Sequence, residues 1–206
     1  MLIHPWDAGS GEDEWMHFVR AQGFGQLIAA GRGRDLPVVV PTQFALVSPG
    51  EVVLHLARPN PLWAALAENS RALLSVAGDW AYIPAAWKAI GEEDPRLGVP
   101  TTYYAAVQLV VEATVVDDLA GKAEILRTQL GVTEPGSDIA DPASQERVLS
   151  GIRGLRLAVT EVRPKFKYGG NVDDEHRAAV AAHLVARGGP GDAAARSHLE
   201  RRTPLP

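Results

Sequence analysis

A histidine and an arginine lie close together in the stretch HLARPNPLW, residues 55–63, which follows an apolar run. His55 could give a ring nitrogen to a metal ion, or it could be an ordinary hydrogen-bonded histidine at the end of a strand. Arg58 could join the free N–H groups of a following helix in holding an anion, or it could carry a surface charge. Asn60 is predicted to cap that helix, with Pro61 at its first position. The stretch therefore predicts either a ligand site or only a junction between a strand and a helix.

The stretch DWAYIPAAWK, residues 79–88, contains three aromatic side chains. Trp80 fits a place in the core. Tyr82, Trp87 and Lys88 surround a Pro-Ala-Ala turn, which is typical of segments that border a site. This stretch is therefore a second candidate for ligand contacts.

Two later stretches also combine aromatic or basic residues with turn signals. In VPTTYYAAV, residues 99–107, Tyr103 and Tyr104 must point to opposite faces if the segment is a strand, so one of them is expected in the core. RPKFKYGGN, residues 163–171, ends a strand with three cations followed by two glycines. That pattern fits a solvated loop and a binding site about equally well.

The elements that must position these stretches are mostly strands. Runs rich in valine, leucine and isoleucine predict strands at 25–30, 36–47, 51–57, 71–77, 104–116 and 155–162. Helical patterns cover 12–22, 62–68, 119–131, 142–154 and a tail from 173 to about 202. Five or six strands with a few helices predict an α+β, mainly β fold, a small β-barrel with peripheral helices.

Composition narrows the function classes. The chain has 206 residues and no cysteine, which excludes disulfides, a thiol nucleophile, cysteine-based zinc sites and thiolate-ligated haem. A net charge of −5 argues against a dedicated nucleic-acid binder. No stretch is apolar enough for a membrane span and no signal peptide is evident, so we expect a cytoplasmic protein. The standard catalytic motifs, among them the P-loop, G-x-S-x-G and H-E-x-x-H, are absent.

Taken in order, the four stretches resemble the PaiB family, the FMN-binding negative transcriptional regulators. The similarity is carried by HLARPNPLW, AYIPAAWK, VPTTYYAAV and the block GLRLAVTEVRPKFKYGGNVDDEHRAAV, and it extends to about residue 187. It implies a split β-barrel, FMN-binding split barrel-like, that is usually a homodimer with its cofactor at the subunit interface. On this basis residues 1–172 form the cofactor-binding domain and residues 173–206 a C-terminal helical extension.

The chain departs from the family pattern at positions that supply polar donors. The family tends to have Ile-Ser-Pro-Ser-Trp-Tyr where this chain has Ile-Pro-Ala-Ala-Trp-Lys at 83–88, so both hydroxyls are missing. It tends to have Ser-Gln where this chain has Gly169 and Gly170. A flavin phosphate needs hydroxyl and amide donors, whereas haem needs apolar walls, cations for its propionates and a donor for its iron. These losses therefore favour haem b over FMN.

The resemblance then points to the haem-dependent branch of the family, the piperazate synthases, which close N5-hydroxyornithine into piperazic acid by forming an N–N bond. It implies that His55 ligates the iron. Propionates would pair with Arg58 and with Lys165 or Lys167, and a small amino-acid substrate would meet Tyr103 or Tyr104, Lys88 and Thr101. The remaining residues predicted to bind the cofactor are Asn60, Tyr82, Trp87 and Asn171. An FMN-binding regulator or sensor is the main alternative, and a cofactor-free interaction protein is the third class.

Overall fold

The computed structural model describes residues 1–201. Its α-helices are α1 (Glu12–Gln22), α2 (Leu62–Glu68), α3 (Leu119–Thr133), α4 (Glu146–Ser150), α5 (Asp174–Arg187) and α6 (Asp192–Arg201). Its strands are β1 (Phe24–Ala29), β2 (Val38–Gln43), β3 (Ala45–Ser48), β4 (Glu51–Ala57), β5 (Arg71–Ile83), β6 (Thr101–Val116) and β7 (Ile152–Lys167). The predicted end of the last helix, at about 202, lies outside the described residues.

The chain divides into two compact units. The strand-rich unit comprises Glu12–Val76 and Gln108–Arg163, and the terminal unit comprises Met1–Gly11, Ala77–Val107 and the residues from Pro164 onward. The first contains α1 to α4 and β1 to β4, the second contains α5 and α6, and β5, β6 and β7 each contribute residues to both. The predicted domain division at 172/173 stays a prediction.

All seven strands belong to one antiparallel sheet in the order β2-β1-β5-β6-β7-β4-β3. β2 and β3 stand at the two ends of this order, yet only Phe44 separates them along the chain. Within the strand-rich unit the sheet must therefore curl, although its two edges are not joined by a ladder of hydrogen bonds. The mainly β, α+β fold expected from the sequence is confirmed.

Strand β4 is buried on both of its faces. Val52, Val53 and Leu54 follow one another and are at most 2% exposed. Because successive side chains of a strand point to opposite faces, this burial requires cover on both sides. Helix α3 supplies it on one side, where Ile125 packs in a cluster with Val53.

In the terminal unit, aromatic side chains form the core and the N-terminal segment docks on β7. Tyr103 and Tyr168 are almost fully buried, with ring centroids 6.0 Å apart in an edge-on arrangement. Ala8 forms a bridge with Lys165, whose ammonium also donates a hydrogen bond to the carbonyl of Leu2 at 2.8 Å. The first eight residues are thereby fixed against the end of β7.

Three sequence expectations were wrong in detail. The strand expected at 36–47 is two strands, because residues 38–43 pair with β1 and residues 45–48 pair with β4. The described chain therefore has seven strands rather than five or six. The helix expected at 142–154 ends at Ser150, and Ile152 already begins β7. Trp80, expected in the core, is 65% exposed.

Candidate functional site

The predicted site residues fall into two groups, one in each unit. His55, Arg58 and Asn60 lie in the strand-rich unit. All the others lie in the terminal unit, namely Tyr82, Trp87, Lys88, Thr101, Tyr103, Tyr104, Lys165, Lys167 and Asn171.

An amide holds the ring of His55. Its Nδ1 lies 2.6 Å from Oε1 of Gln129. The amide nitrogen of Gln129 donates to the carbonyl of Gln43 at 3.5 Å, which leaves the amide oxygen facing the ring. Since that oxygen can only accept, we infer that Nδ1 carries the hydrogen and that Nε2 keeps its lone pair. Among residues 1–201, Nε2 of His55 has no hydrogen-bond partner.

The contact between His55 and Gln129 follows from the similar spacing of residues along helix α3 and strand β4. Ile125 and Gln129 are four residues apart on the helix, a rise of about 6 Å. Val53 and His55 are two residues apart on the strand, a span of about 7 Å on the same face. Ile125 packs against Val53. One helical turn further along α3 and two residues further along β4, Gln129 therefore lies beside His55.

Arg58 is engaged by a carboxylate of its own unit. Its Nη1 and Nη2 donate to the two oxygens of Asp117 at 3.1 and 2.6 Å, and its Nε donates to the carbonyl of Ser150 at 2.8 Å. Arg153 and Lys122 approach the same carboxylate to 3.2 and 3.5 Å. The hydrogen bonds from Arg58, assisted by the neighbouring cations, lower the pKa of Asp117 to about 2. We call Arg58, Asp117, Lys122 and Arg153 the arginine cluster.

Asn60 caps the start of helix α2. Its Oδ1 accepts a hydrogen bond from the N–H of Leu62 at 2.9 Å. The capping interaction is that expected from the sequence, although the helix begins at Leu62 rather than at Pro61. The side chain of Asn60 is therefore engaged with its own backbone.

In the terminal unit, five predicted residues line one cavity of about 220 Å³. They are Lys88, Thr101, Tyr103, Lys167 and Asn171, and the other walls are His4, Trp6, Asp7 and Gly169. We call this space the lysine cavity. A second cavity of about 360 Å³ shares Lys88, Tyr103 and Asn171 with it.

The hydroxyl of Tyr103 is buried without a partner. The side chain is 2% exposed, and its oxygen makes no hydrogen bond within the described chain. Burial raises the pKa of Tyr103 to about 12, so the hydroxyl stays protonated at neutral pH. Tyr103 therefore brings an unused hydrogen-bond donor to the wall of both cavities. The half-buried Tyr104 faces the other way, as expected for adjacent residues of a strand.

The two lysines of the lysine cavity have no counter-ion. Nζ of Lys167 donates to the hydroxyl of Thr101 at 2.7 Å. Within the described chain, no carboxylate lies within 4.0 Å of Nζ of Lys88 or of Lys167. Burial lowers the pKa of Lys88, and the charge of Lys167 lowers it further. The two ammonium groups therefore have no direct counter-ion, and Asp7, the carboxylate in the cavity wall, pairs with Lys165 instead.

Lys165 lies on the same strand as Lys167 but is engaged inside the protein. It is 7% exposed, and its Nζ lies 3.8 Å from Asp7 and 5.6 Å from the ring centre of Tyr104. Tyr82 is 49% exposed. Trp87 stacks on His183 at 5.0 Å, with the guanidinium of Arg187 at 4.5 Å from its ring centre.

Sequence reasoning missed Gln129 and the N-terminal wall of the lysine cavity. Gln129 had a signal, because it is a polar residue four positions after Ile125 on a helix face that meets the sheet. His4, Trp6 and Asp7 had none, because nothing in the local pattern indicates that this segment returns to β7. The described residues contain no group of three or more histidine or acidic residues that could hold a metal ion. None of their helices is long and apolar enough to cross a membrane.

Comparison with known families gives one clear match. The sequence profile described as "Putative FMN-binding domain" matches residues 1–161. No curated protein matches the chain in sequence.

Solved structures share its fold. The FAD and haem binding protein from Mycobacterium smegmatis is 19% identical, with a TM-score of 0.64 over 89% of this chain and 80% of that one. The flavocytochrome Anf3 from Azotobacter vinelandii is 21% identical, with a TM-score of 0.61 over 84% and 75%. A conserved hypothetical protein from Mycobacterium tuberculosis is 15% identical, with a TM-score of 0.60 over 84% and 94%. At these identities the likeness shows the fold alone, and the predicted FMN-binding split-barrel fold is confirmed.

Proposed function

The chain belongs to the family described as "Putative FMN-binding domain", and within it we propose a haem-dependent enzyme that cyclises N5-hydroxyornithine to piperazic acid. His55 would be the axial ligand of haem b. The observation that carries this assignment is the 2.6 Å contact between Nδ1 of His55 and Oε1 of Gln129. The reaction is the one that the resemblance to the PaiB-like branch implies.

The donor set fits haem. A metal-bound histidine almost always donates its other ring N–H to an oxygen, which fixes the ring and strengthens the ligating nitrogen. Gln129 gives His55 that arrangement. The porphyrin supplies four nitrogens to iron, so one protein donor suffices, and a cluster of metal-ligating side chains is not needed.

The arginine cluster supports an anion in the same unit. Arg58, Lys122 and Arg153 share the single carboxylate of Asp117. A haem propionate would add the negative charge that this cluster lacks, with Arg58 and Arg153 as its partners. Arg58 would then keep Asp117 on one side of its guanidinium, since that group carries five donors.

The proposed reaction breaks the N–O bond of the hydroxylamine and forms an N–N bond to the α-amine, with loss of one water. It needs no external oxidant or reductant. When bound, haem supplies Lewis-acidic iron that makes the hydroxylamine oxygen a better leaving group. Lys88, whose pKa burial lowers, is our candidate to protonate that oxygen. Thr101, Tyr103 and Tyr104 stay our candidates for substrate contacts.

Competition between the two cofactors tests the haem assignment. We expect the chain, given equimolar haem and FMN and then freed of unbound cofactor, to show a Soret band and no flavin spectrum. His55→Ala should lose haem or shift the Soret band, whereas His17→Ala, which changes an exposed histidine of the same unit, should do neither. Retention of flavin by the unaltered chain would overturn the assignment.

Gln129 offers a second test, because it acts on the iron only through His55. Gln129→Leu should lower haem affinity by roughly tenfold or more, as removal of the partner of a ligating histidine commonly does. Gln145→Leu is the matched control, since the amide of Gln145 lies in the same unit and contacts only the carbonyl of Ala140. Equal haem affinity in Gln129→Leu and the control would mean that His55 is not the ligand.

The reaction is tested separately by anaerobic incubation of the haem-loaded chain with N5-hydroxyornithine. The expected product has lost one water by mass. If the haem is bound and only intact substrate remains, the synthase assignment fails, and a haem-based sensor becomes the better interpretation.

An FMN-binding regulator is the second candidate, and the family match favours it. In that case the flavin spectrum appears in the competition experiment and haem does not. We also propose a homodimer, as the resemblance implies. Size-exclusion chromatography with light scattering should give twice the 22.0 kDa chain mass, and the monomer mass would contradict it.

A further inference from the structure

Two cations that line the lysine cavity have no carboxylate within 4.0 Å in the described chain. Lys88 and Lys167 both line it, and the charge of Lys167 acts on Lys88. Like charges this close destabilise each other unless an anion lies between them or beside them. The arrangement is therefore suited to an anionic ligand.

The hydroxyl of Tyr103 gives independent support. A buried polar group without a partner costs free energy, and such groups in folded proteins commonly have a functional explanation. Tyr103 is 2% exposed, its hydroxyl is unpaired, and it lines the same cavity as the two lysines. A ligand that accepts a hydrogen bond would satisfy it.

We propose that the lysine cavity binds a small α-amino acid, whose carboxylate is held by Lys167 and by the hydroxyl of Tyr103. A carboxylate oxygen accepts several hydrogen bonds, so it can meet both donors. Lys88, which lines both cavities, remains available to move a proton. The binding step stands on this cavity alone, and it rests on the proposed function only for which amino acid is the substrate.

The surroundings indicate which parts of the ligand go where. Asp7 is the one carboxylate among the residues that line the lysine cavity; it already lies 3.8 Å from Nζ of Lys165, and the α-ammonium group would share it. The adjoining cavity is lined by Val99, Val172 and Val180, which suit an aliphatic side chain. Lys88, His176 and Asp173 also line that cavity, and the Asp173 carboxylate lies 2.8 Å from Nδ1 of His176. The choice of a diamino acid among small amino acids therefore rests on the proposed function.

The N-terminal segment is part of this site. Trp6 packs so closely on Gly170 that a Cβ added there would lie 2.3 Å from the Trp6 carbonyl oxygen. Gly169, at φ +69°, approaches the Tyr103 hydroxyl in the same way, since its Cβ would lie 2.5 Å from that oxygen. The two glycines that replace polar residues of the family pattern therefore allow this wall to close against the tyrosine.

The test is calorimetric titration of the full chain with L-ornithine, which cannot react. We expect binding of L-ornithine and none of putrescine, which lacks the carboxylate. Lys167→Met and Tyr103→Phe should each weaken binding by roughly tenfold, because each removes a hydrogen bond to a charged group.

Tyr168→Phe is the matched control. Tyr168 is buried in the same unit, but its hydroxyl donates to the carbonyl of Asp79 at 2.8 Å and does not line the cavity. We expect it to lower the melting temperature without changing L-ornithine affinity. Tyr103→Phe should do the opposite, with weaker binding and an unchanged or higher melting temperature. This pair separates a ligand contact from a merely structural hydroxyl.

Two outcomes would overturn the proposal. One is L-ornithine affinity that Lys167→Met and Tyr103→Phe leave unchanged. The other is that these variants lose inorganic phosphate or FMN instead, while L-ornithine does not bind, which would make the cavity a phosphate site. A failure of the proposed function is distinguishable, because His55→Ala or an inactive haem-loaded chain would leave the L-ornithine titration as predicted.

Discussion

Two basic regions of this chain, the arginine cluster and the lysine cavity, differ in whether a carboxylate of the protein pairs with their cations. In the arginine cluster, Arg58, Lys122 and Arg153 surround a carboxylate supplied by the protein itself. In the lysine cavity, Lys88 and Lys167 have none within 4.0 Å, and the one carboxylate of the lining, Asp7, pairs with Lys165. Folding neutralises part of the positive charge of the arginine cluster, whereas the positive charge of Lys88 and Lys167 stays available for a ligand. Basic residues therefore indicate an anion site only when their partners are known.

Removing the internal carboxylate should have the largest effect on stability. Asp117→Asn leaves the ammonium of Lys122, whose side chain is 2% exposed, without a counter-charge in a place that water cannot easily reach. A fall on the order of 5 °C in the thermal midpoint is expected by differential scanning calorimetry. Asp141→Asn, which breaks an exposed pair with Arg127 in the same unit, should change the midpoint little. Equal midpoints in the two variants would mean that Asp117 stabilises nothing beyond a surface pair.

Adding a carboxylate to the lysine cavity should give its cations a counter-ion of the protein, as in the arginine cluster. Asn171 lines the lysine cavity, so Asn171→Asp places a negative charge where the ligand carboxylate would bind. Titration should show L-ornithine affinity lower by roughly tenfold, because two carboxylates would compete for the same lysines. Asn69→Asp, in the strand-rich unit, keeps its acceptor for the N–H of Arg71 and serves as the control. Unchanged affinity in Asn171→Asp would remove the cavity from the binding site.

Two buried tyrosine hydroxyls allow a smaller and sharper test. Tyr168→Phe loses a hydrogen bond and leaves the Asp79 carbonyl without it, so the free energy of unfolding should fall by about 1 kcal/mol. Tyr103→Phe removes a hydroxyl that has no partner and should cost nothing or raise the stability slightly. Urea unfolding measures both. A loss of similar size in Tyr103→Phe would reveal a partner for that hydroxyl and weaken the case for a ligand.

The smallest effects are expected in the pH dependence of stability. The pKa of folded Asp117 is about 2, below its usual 3.8, so its contribution is present above about pH 4 and is lost on acidification towards pH 2. Lys88 gives a slope of the same sign at alkaline pH, because its pKa is also lowered in the folded chain. Its folded pKa lies below 10.5, so the unfolded chain binds more protons and stability should rise as the pH increases towards that value.

Urea midpoints across pH, with Asp117→Asn and Lys167→Met as comparisons, measure these slopes. Asp117→Asn should flatten the acid limb. Lys167→Met should reduce the rise in stability at alkaline pH, since it removes one cause of the lowered Lys88 pKa. Curves that both variants leave unchanged would contradict the assigned charges.

Local chemistry made much of the fold and part of the site predictable. A continuous run of apolar residues predicted β4, and the Asn-Pro pair predicted the start of α2 close to its true position. Lys88, Thr101 and Lys167 come from three distant stretches, and the structure brings them to one cavity. Whether that cavity and His55 bind their proposed ligands stays a prediction.

What could not be predicted depends on contacts between residues far apart in the chain. Arg58 looked available for an anion, but Asp117, 59 positions later, already holds it. Gln129 is 74 positions from His55, and only the packing of α3 on β4 shows that it sets the tautomer of the ring. Phe44 interrupts a run of β-forming residues because it lies between β2, which pairs with β1, and β3, which pairs with β4. No local pattern contains these partners.

The docked N-terminal segment has a practical consequence for anyone who makes this protein. The carbonyl of Leu2 receives the hydrogen bond of the buried Lys165 ammonium, and Trp6 and Asp7 form a wall of the cavity. A purification tag or a protease scar fused before Met1 would add chain directly beside these contacts. Preparations that differ only in such an extension should therefore be compared for L-ornithine affinity before any variant is interpreted, because the vector could otherwise produce the effect attributed to the mutation.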